Sequence, residues 1–314
     1  MKLRSIPLGF AFLTITLLQC VHLKEASTQF DQGQYTESIQ LCKAAIAADS
    51  TDSQAYLLLS KNYVKVDSLT PATQAAESAF KYAPENNSVI RHLSHLYVTL
   101  GQQAAKEKNY RHAIEFLRNA KKIAPQDSAT VQALADYYYD RGQLDRAKTE
   151  YKSLKSIVHN QKPVDDKLQT IENRTQKADA AVQKGIAAIN RKHYKTAQTE
   201  LKKALKNKPD NQEAKYQLHM AEGHALYKKG SKSAMWEAIE AFGLAMAIKD
   251  TLAEPHYWLA KAYERKDDRE FTNAIDEYTK VLELDPNGPH AKEARTKLKK
   301  LKALKTKLDN FWGR

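Results

Sequence analysis

Two histidines, His92 and His95, stand three residues apart, which places both imidazoles on one face of a helix at a spacing found in some metal sites. A metal centre needs further ligands, and no cysteine or carboxylate flanks the pair. Ordinary surface or groove histidines are the expectation. A Ser-His-Asp arrangement can be assembled from distant positions, but no Gly-x-Ser-x-Gly turn marks a nucleophile. The glycines are isolated, so neither a phosphate-cradling loop nor a dinucleotide fingerprint is present. The expectation is a protein that is not an enzyme, with no catalytic residues, no metal and no cofactor.

The formal charge of +13 raises nucleic acid or an anionic membrane as partners, but its distribution matters more. Between His290 and Arg314 the cations Lys292, Arg295, Lys297, Lys299, Lys300, Lys302, Lys305, Lys307 and Arg314 face only Glu293 and Asp309, about half of the excess. The rest of the chain is mildly basic and carries no uniformly basic track for a phosphate backbone, so no nucleic-acid partner is expected.

Residues 1–20 read as an export segment. Lys2 and Arg4 form a charged start, and a mostly apolar stretch from Ser5 to Gln19 ends at Cys20. Cys20 in that place resembles a bacterial lipoprotein signal, which implies lipidation of Cys20. Leu18 and Gln19 occupy places where that family prefers small residues, so an uncleaved signal anchor and ordinary signal cleavage stay open. The other cysteine, Cys42, falls on the apolar face of an expected helix, where a free thiol packs as a small hydrophobe. A disulfide between the two requires that Cys20 escape modification.

Only 10 Gly and 9 Pro interrupt the chain, and Val and Ile runs typical of buried parallel strands are missing, so helices are expected throughout. One pattern recurs seven times: a bulky apolar residue, a small one three later, a small or apolar one ten later, and a helix-ending residue fifteen later. The bulky residues are Tyr35, Leu69, Tyr110, Leu144, Tyr194, Met235 and Phe271. The small ones are Ser38, Ala72, Ala113, Ala147, Ala197, Ala238 and Ala274, followed by Ala45, Ala79, Ala120, Leu154, Ala204, Ala245 and Val281. Four units end in Pro84, Pro125, Pro209 and Pro286; a proline cannot continue a helix. Offsets of three, seven and ten stay on one helical face, where small residues let a second helix come close. A second element lies upstream: Leu59, Ser60, Tyr63; Leu100, Gly101, Ala104; Leu134, Ala135, Tyr138; and Gly185, Ala188.

Together the two elements resemble the tetratricopeptide repeat (TPR), with its Leu-Gly-x-x-Tyr first helix and Ala-rich second helix, over roughly residues 21–288. The resemblance implies an all-α, right-handed superhelical solenoid of about seven helical hairpins. Successive units lie 34, 41, 34, 50, 41 and 36 residues apart, against about 34 for the family. Seven extra residues equal about two turns, so before Tyr110 a first helix can lengthen from about Ser88 to Lys108 without rotating its buried face. The second such excess is expected to be shared between a longer helix and the loop from Lys229 to Ser233. Sixteen extra residues around Lys162 to Lys177 follow Pro163 and mark the expected boundary. The expected division is 1–20 signal or anchor, 21–161 hairpins one to four, 162–177 helical linker or insertion, 178–288 hairpins five to seven, and 289–314 a basic capping helix. That last helix has a stripe of Leu298, Leu301, Leu304, Leu308 and Phe311; the alternative to capping is contact of its lysines with anionic lipid headgroups.

In the family the first helices line a concave groove that takes extended or helical peptides. By register this implies a protein-binding set of Lys61 and Lys65 in the second hairpin, Gln132, Asp136, Tyr139 and Asp140 in the fourth, and Tyr257, Lys261 and Arg265 in the seventh. The groove is then basic at both ends and acidic in the middle. The Lys, Asn and Arg set that holds chaperone C-termini is not placed: Lys61 and Asn62 lie in the right helix, but the Asn is not repeated in the next. A membrane-attached repeat array is similar in layout to envelope lipoproteins that assemble secretion and pilus pores. The expectation is therefore a membrane-tethered scaffold in the bacterial cell envelope, on the outer or inner membrane. The alternative is an accessory subunit that positions substrate for an envelope protease or cell-wall enzyme.

Overall fold

The structure, a computed structural model, describes residues 21–266 and 271–312. Cys20 and the apolar stretch before it lie outside the described residues. Among the described residues there are fifteen helices and no strand. They are α1 (21–31), α2 (Tyr35–Ala48), α3 (Ser53–Lys65), α4 (Leu69–Tyr82), α5 (Asn87–Lys106), α6 (Tyr110–Ile123), α7 (Ser128–Asp140), α8 (Leu144–Ile157), α9 (Lys162–Asn190), α10 (Tyr194–Asn207), α11 (Gln212–Lys229), α12 (Lys232–Ile248), α13 (Ala253–Lys266), α14 (Thr272–Leu284) and α15 (Ala291–Trp312). The chain forms two compact units, the first ending at Leu168 and the second running from Gln169, with the short stretch Gly142–Leu144 counted in the second.

Local chemistry sets the ends of these helices. The Asp52 carboxylate accepts from the backbone N–H groups of Gln54 and Ala55 at 2.9 and 3.1 Å, and Asn86, Asp127, Asn211 and Ser231 cap α5, α7, α11 and α12 in the same way. Each such cap satisfies a donor that the first turn leaves orphaned, worth about 1 kcal/mol. The described turns inside the hairpins each place one residue in the left-handed region: Gly33, Asp67, Lys108, Gly142, Lys192 and Gly230. That conformation reverses the chain in two or three residues, so each first helix is followed at once by its antiparallel partner.

Helix packing follows the repeat. Each of the fourteen positions three and ten residues after the seven bulky ones is at most 2 % exposed. In the first unit α3 and α4 pack together, as do α5 and α6, around a cluster that includes Ala72, Ala76, Leu93, Leu96, Tyr97 and Ala120. In the second, α10 packs on α11, α11 on α12 and α13 on α14, and α15 closes the end by laying Ala294 and Leu301 on Tyr257, Phe271, Tyr278 and Val281. Cys42 is fully buried, and burial pushes its thiol up to about 11 against a smaller opposing effect of its hydrogen bond with Ser38.

The irregular spacings resolve into helix length. α5 has 20 residues where α3 has 13, so the first excess of seven is two added turns. α9 has 29 residues, and its stripe Val164, Ile171 and Ala178 is buried at every seventh position before Ala181, Val182 and Ala188. Pro163 sits in the first turn of α9, where no N–H is needed, so it starts that helix. The stretch 162–177 is thus the front of the first helix of the fifth hairpin. The expectation for the second excess of seven needs correction. The loop between α11 and α12 is only Gly230 and Ser231; α11 has 18 residues and α12 has 17, so the extra residues lengthen both helices.

Candidate functional site

The third and fourth hairpins meet at a pocket of about 620 Å³ lined by Gln102, Ala105 and Lys106 at the end of α5, Tyr110 and Leu117 of α6, Ala133, Asp136, Tyr137 and Asp140 of α7, and Arg141 just past its end. The two extra turns of α5 carry Lys106 there. At the end of α7 the residues Asp136 and Asp140 stand four apart, and so do Tyr137 and the C-cap Arg141, which gives the pocket adjacent acidic and aromatic–cationic strips.

Three consecutive tyrosines show how helical rotation divides the work. Tyr137 turns into the pocket and its hydroxyl donates to the Tyr110 carbonyl at 2.9 Å. Tyr138 points to the other side and accepts from Arg118 Nε at 3.2 Å. Tyr139 lies edge-on to Tyr151 with ring centroids 6.5 Å apart, and the Lys167 ammonium stands 4.5 Å over its ring. Burial raises the Tyr137 pKa, with Arg141 pulling the other way. The Arg141 guanidinium lies 3.7 Å over the Tyr110 ring, which holds it at the pocket edge.

Asp136 is held from behind. The hydroxyl of Tyr151, a residue 2 % exposed, donates to Asp136 Oδ1. The Tyr151 pKa is raised by burial first, then by that hydrogen bond and by the charges of Asp136 and Asp140, so the phenol stays a donor. A carboxylate anchored on a buried hydroxyl has little rotamer freedom left to lose on binding. The exposed Asp140 sits one turn on, and the pocket thus offers two carboxylates, two cations and two aromatic rings to a chain laid across it.

A second pocket of about 550 Å³ lies among the first helices α1, α3 and α5, lined by Leu23, Lys24, Ser27, Gln54, Leu57, Leu58, Lys61, Asn86 and Ser88. Lys61 and Lys24 give it a basic wall. Asn62 is unavailable to a ligand: fully buried, it donates to Ser38 Oγ and to the Leu58 carbonyl, each at 2.9 Å. His92 is also engaged, with Nε2 2.8 Å from Ser60 Oγ; burial, with Lys61 and His95 adding, lowers its pKa to about 4. Among the described residues no group of three His, Cys, Asp or Glu could hold a metal ion.

Of the residues expected from register, Lys61 lines the second pocket and Asp136 and Asp140 the first. Lys65 and Gln132 are exposed but line neither, and Tyr139 is taken up by Tyr151 and Lys167. The second-unit trio holds helices together. Tyr257 is 4 % exposed, stacks on His290 with centroids 4.0 Å apart, and donates its hydroxyl to Glu293 of α15 at 2.6 Å. Lys261 donates to Tyr257 and to Glu293, each at 3.1 Å. Burial disfavours the Lys261 ammonium, but those bonds outweigh it and raise its pKa, while the hydrogen bond from Tyr257 first, and then that from Lys261, lower the pKa of Glu293 against its burial. Arg265 donates to the Tyr227 carbonyl at 3.0 Å. Tyr137, Arg141, Lys106 and Lys24 were not expected; the first two are readable one residue past Asp136 and Asp140, and Lys106 only once α5 is seen to lengthen.

Fold and site define an all-α helical-repeat protein. The family model described as tetratricopeptide repeat matches residues 93–127 and 253–287, which span most of α5 and α6 and then α13 and α14. No curated protein matches the chain. Among solved structures, the chain is similar to the TPR domain of P58(IPK), with 14% identity over 91% of this chain and 98% of that one at a TM-score of 0.41. It is similar to YrrB, described as a TPR protein with an unusual peptide-binding site, with 20% identity over 62% and 88% at 0.33. It also resembles the C-terminal part of a TPR repeat-containing protein from Cytophaga hutchinsonii, with 17% identity over 87% and 98% at 0.32.

Proposed function

We propose that this protein is a membrane-tethered scaffold of the bacterial cell envelope that takes a segment of a partner protein across the pocket between α5, α6 and α7, and serves the assembly of a secretion, pilus or outer-membrane complex. The observation that carries the binding reading is Asp136, pinned by the buried Tyr151, beside Asp140, Lys106 and Arg141 in one pocket. Fixed groups of both signs around aromatic walls suit recognition of a polypeptide, because the ordering cost is met before the partner arrives. The tether rests on Cys20 and the apolar stretch before it. Ala26 is already fully buried and its carbonyl accepts from Ser38 Oγ at 2.7 Å, so five residues, Val21 to Glu25, separate Cys20 from the packed body. Even fully extended they span about 20 Å. A lipid on Cys20 would therefore hold the first hairpin against the bilayer.

Capture from detergent-solubilised membranes, with wild type beside Asp140→Lys and Lys106→Glu, tests the binding site. A partner held by wild type and weakened about tenfold by either reversal, at an unchanged melting curve, is the expected result. Equal retention by both variants removes the pocket from the mechanism. If proteases or cell-wall enzymes come down in place of pore components, the accessory-subunit alternative holds. Cys20→Ala is expected to stop maturation and change membrane attachment, since two acyl chains suffice for stable anchoring. A mature protein that still begins at Met1 refutes the lipidation.

A further inference from the structure

The outer face of α15 carries a charge pattern that capping does not require. Its inner face packs Ala291, Ala294, Leu298, Leu301, Leu304 and Leu308 on the second unit. Three of its cations are spent on neighbours: Lys297 donates to Glu264 at 2.7 Å, Lys305 to Thr272 at 3.2 Å, and Arg295 to the Pro286 carbonyl. Five lysines, Lys292, Lys299, Lys300, Lys302 and Lys307, are exposed, and their ammonium groups make no ion pair or hydrogen bond among the described residues. Glu293, next to Lys292 on this helix, is already held by Tyr257 and Lys261.

At about 100° per residue, these five lysines spread over an arc of about 160° centred opposite the buried stripe, along about 22 Å of helix. Thr296, Ala303 and Thr306 fill the middle of that arc. Short side chains along the centre let the helix come close to a flat surface, while lysines at the centre and on both flanks reach down to it with their long stems. Mobile ammonium groups on a straight ridge suit a layer of anionic headgroups, which asks for charge and not for a fixed donor geometry. The five offer no guanidinium fork for a phosphate and no aromatic ring for a base.

We propose that the outer face of α15 is a docking surface for an anionic lipid bilayer, and this does not rest on the N-terminal tether. The test compares the full chain with the Lys299→Ala, Lys302→Ala, Lys307→Ala triple variant on vesicles of phosphatidylcholine mixed with phosphatidylglycerol and of phosphatidylcholine alone. Both proteins carry the same N-terminus, so any insertion of that segment cancels in the difference. Wild type should partition more strongly to the anionic vesicles, the gain should fall with salt, and the triple variant should lose about 100-fold of it while melting at the wild-type temperature. The proposal is overturned if wild type shows no preference for anionic vesicles or if the triple variant keeps it. It is also overturned if duplex DNA of random sequence strips the protein from vesicles at equal phosphate concentration, which would assign the ridge to nucleic acid.

Discussion

Gly223 lies in α11 at a point where α12 comes so close that a Cβ added there would sit 2.5, 2.6 and 2.8 Å from three ring carbons of Phe242. Ordinary carbon contacts are about 3.5–4.0 Å, so Gly223→Ala must move that ring by about 1 Å. The ring has little room to move. Phe242 is fully buried, with His224 edge-on at 5.4 Å and Trp258 stacked at 6.1 Å between centroids. Overpacking of this kind costs about 1–3 kcal/mol, and replacing a mid-helix glycine by alanine returns about 1 kcal/mol. A net loss of up to about 2 kcal/mol follows, or up to about 8 °C in a unit of this size. The chain's tryptophans, Trp236, Trp258 and Trp312, all follow Gln169, so their fluorescence reads the second unit alone. Gly243 on α12 supplies the control, because a Cβ there meets nothing within 4 Å. Gly243→Ala should stabilise by up to about 1 kcal/mol in the same assay. A smaller residue at 242 should relieve the clash, so Gly223→Ala combined with Phe242→Leu should cost less than the sum of the two by at least about 0.5 kcal/mol. If Gly223→Ala melts above wild type, or the double-variant cycle shows no coupling, the close approach of α11 and α12 is refuted.

Three other outcomes follow from the same packing. Ala147 is fully buried in α8, so Ala147→Leu should cost roughly 1–3 kcal/mol by chemical denaturation of the first unit, and an unchanged transition would mean that the helix register is misplaced. Removing residues 289–314 should uncover Tyr257, Tyr278 and Val281, lower the second unit's stability and promote self-association while the first hairpins stay folded; a monomer of unaltered stability rules out capping. Burial lowers the His224 pKa from 6.5 to about 4, so the unfolded chain takes up a proton first as pH falls, and the second unit should lose up to about 1.4 kcal/mol per pH unit between those values and level off below. The ring sits against Tyr194, Phe242 and Trp258, so His224→Phe should preserve the packing and flatten that loss; a loss of equal slope in the variant assigns it to other groups.

The hairpins were legible because a helix repeats its face at fixed offsets, and a residue that must be small to admit a neighbour leaves a mark at the same offset each time. Ala113 and Ala120 are read in that way, and so are Ala197 and Ala204. Helix length is less legible, since an insertion can go to a loop or to added turns with the same count of residues. Before Tyr110 the seven-residue excess preserved the apolar face and went wholly into α5. Before Met235 it was divided between α11 and α12, because Gly230 terminates α11 and Ser231 caps α12 in only two residues, a stop and a start that a count of residues between repeats does not reveal.

The candidate site was less legible than the fold for a related reason. Register tells which way a side chain leaves its helix, but not whether a distant residue has claimed it. Lys261 and Tyr257 point as expected for first-helix residues, yet Glu293, 32 and 36 positions later, occupies both. Asn62 meets Ser38 from the preceding hairpin, and Lys167 covers Tyr139. Asp140 escaped because no such partner was placed opposite it, and Asp136 because its partner Tyr151 approaches from the buried side and orients the carboxylate without covering it. In a stack of hairpins each unit presents the same positions, so what distinguishes a binding position from a structural one is the neighbour. The charge reversal at Asp140 and the truncation of α15 probe the two sides of that distinction. The first should alter binding and leave the fold alone, and the second should alter the fold of the second unit and leave the pocket of the first unit intact.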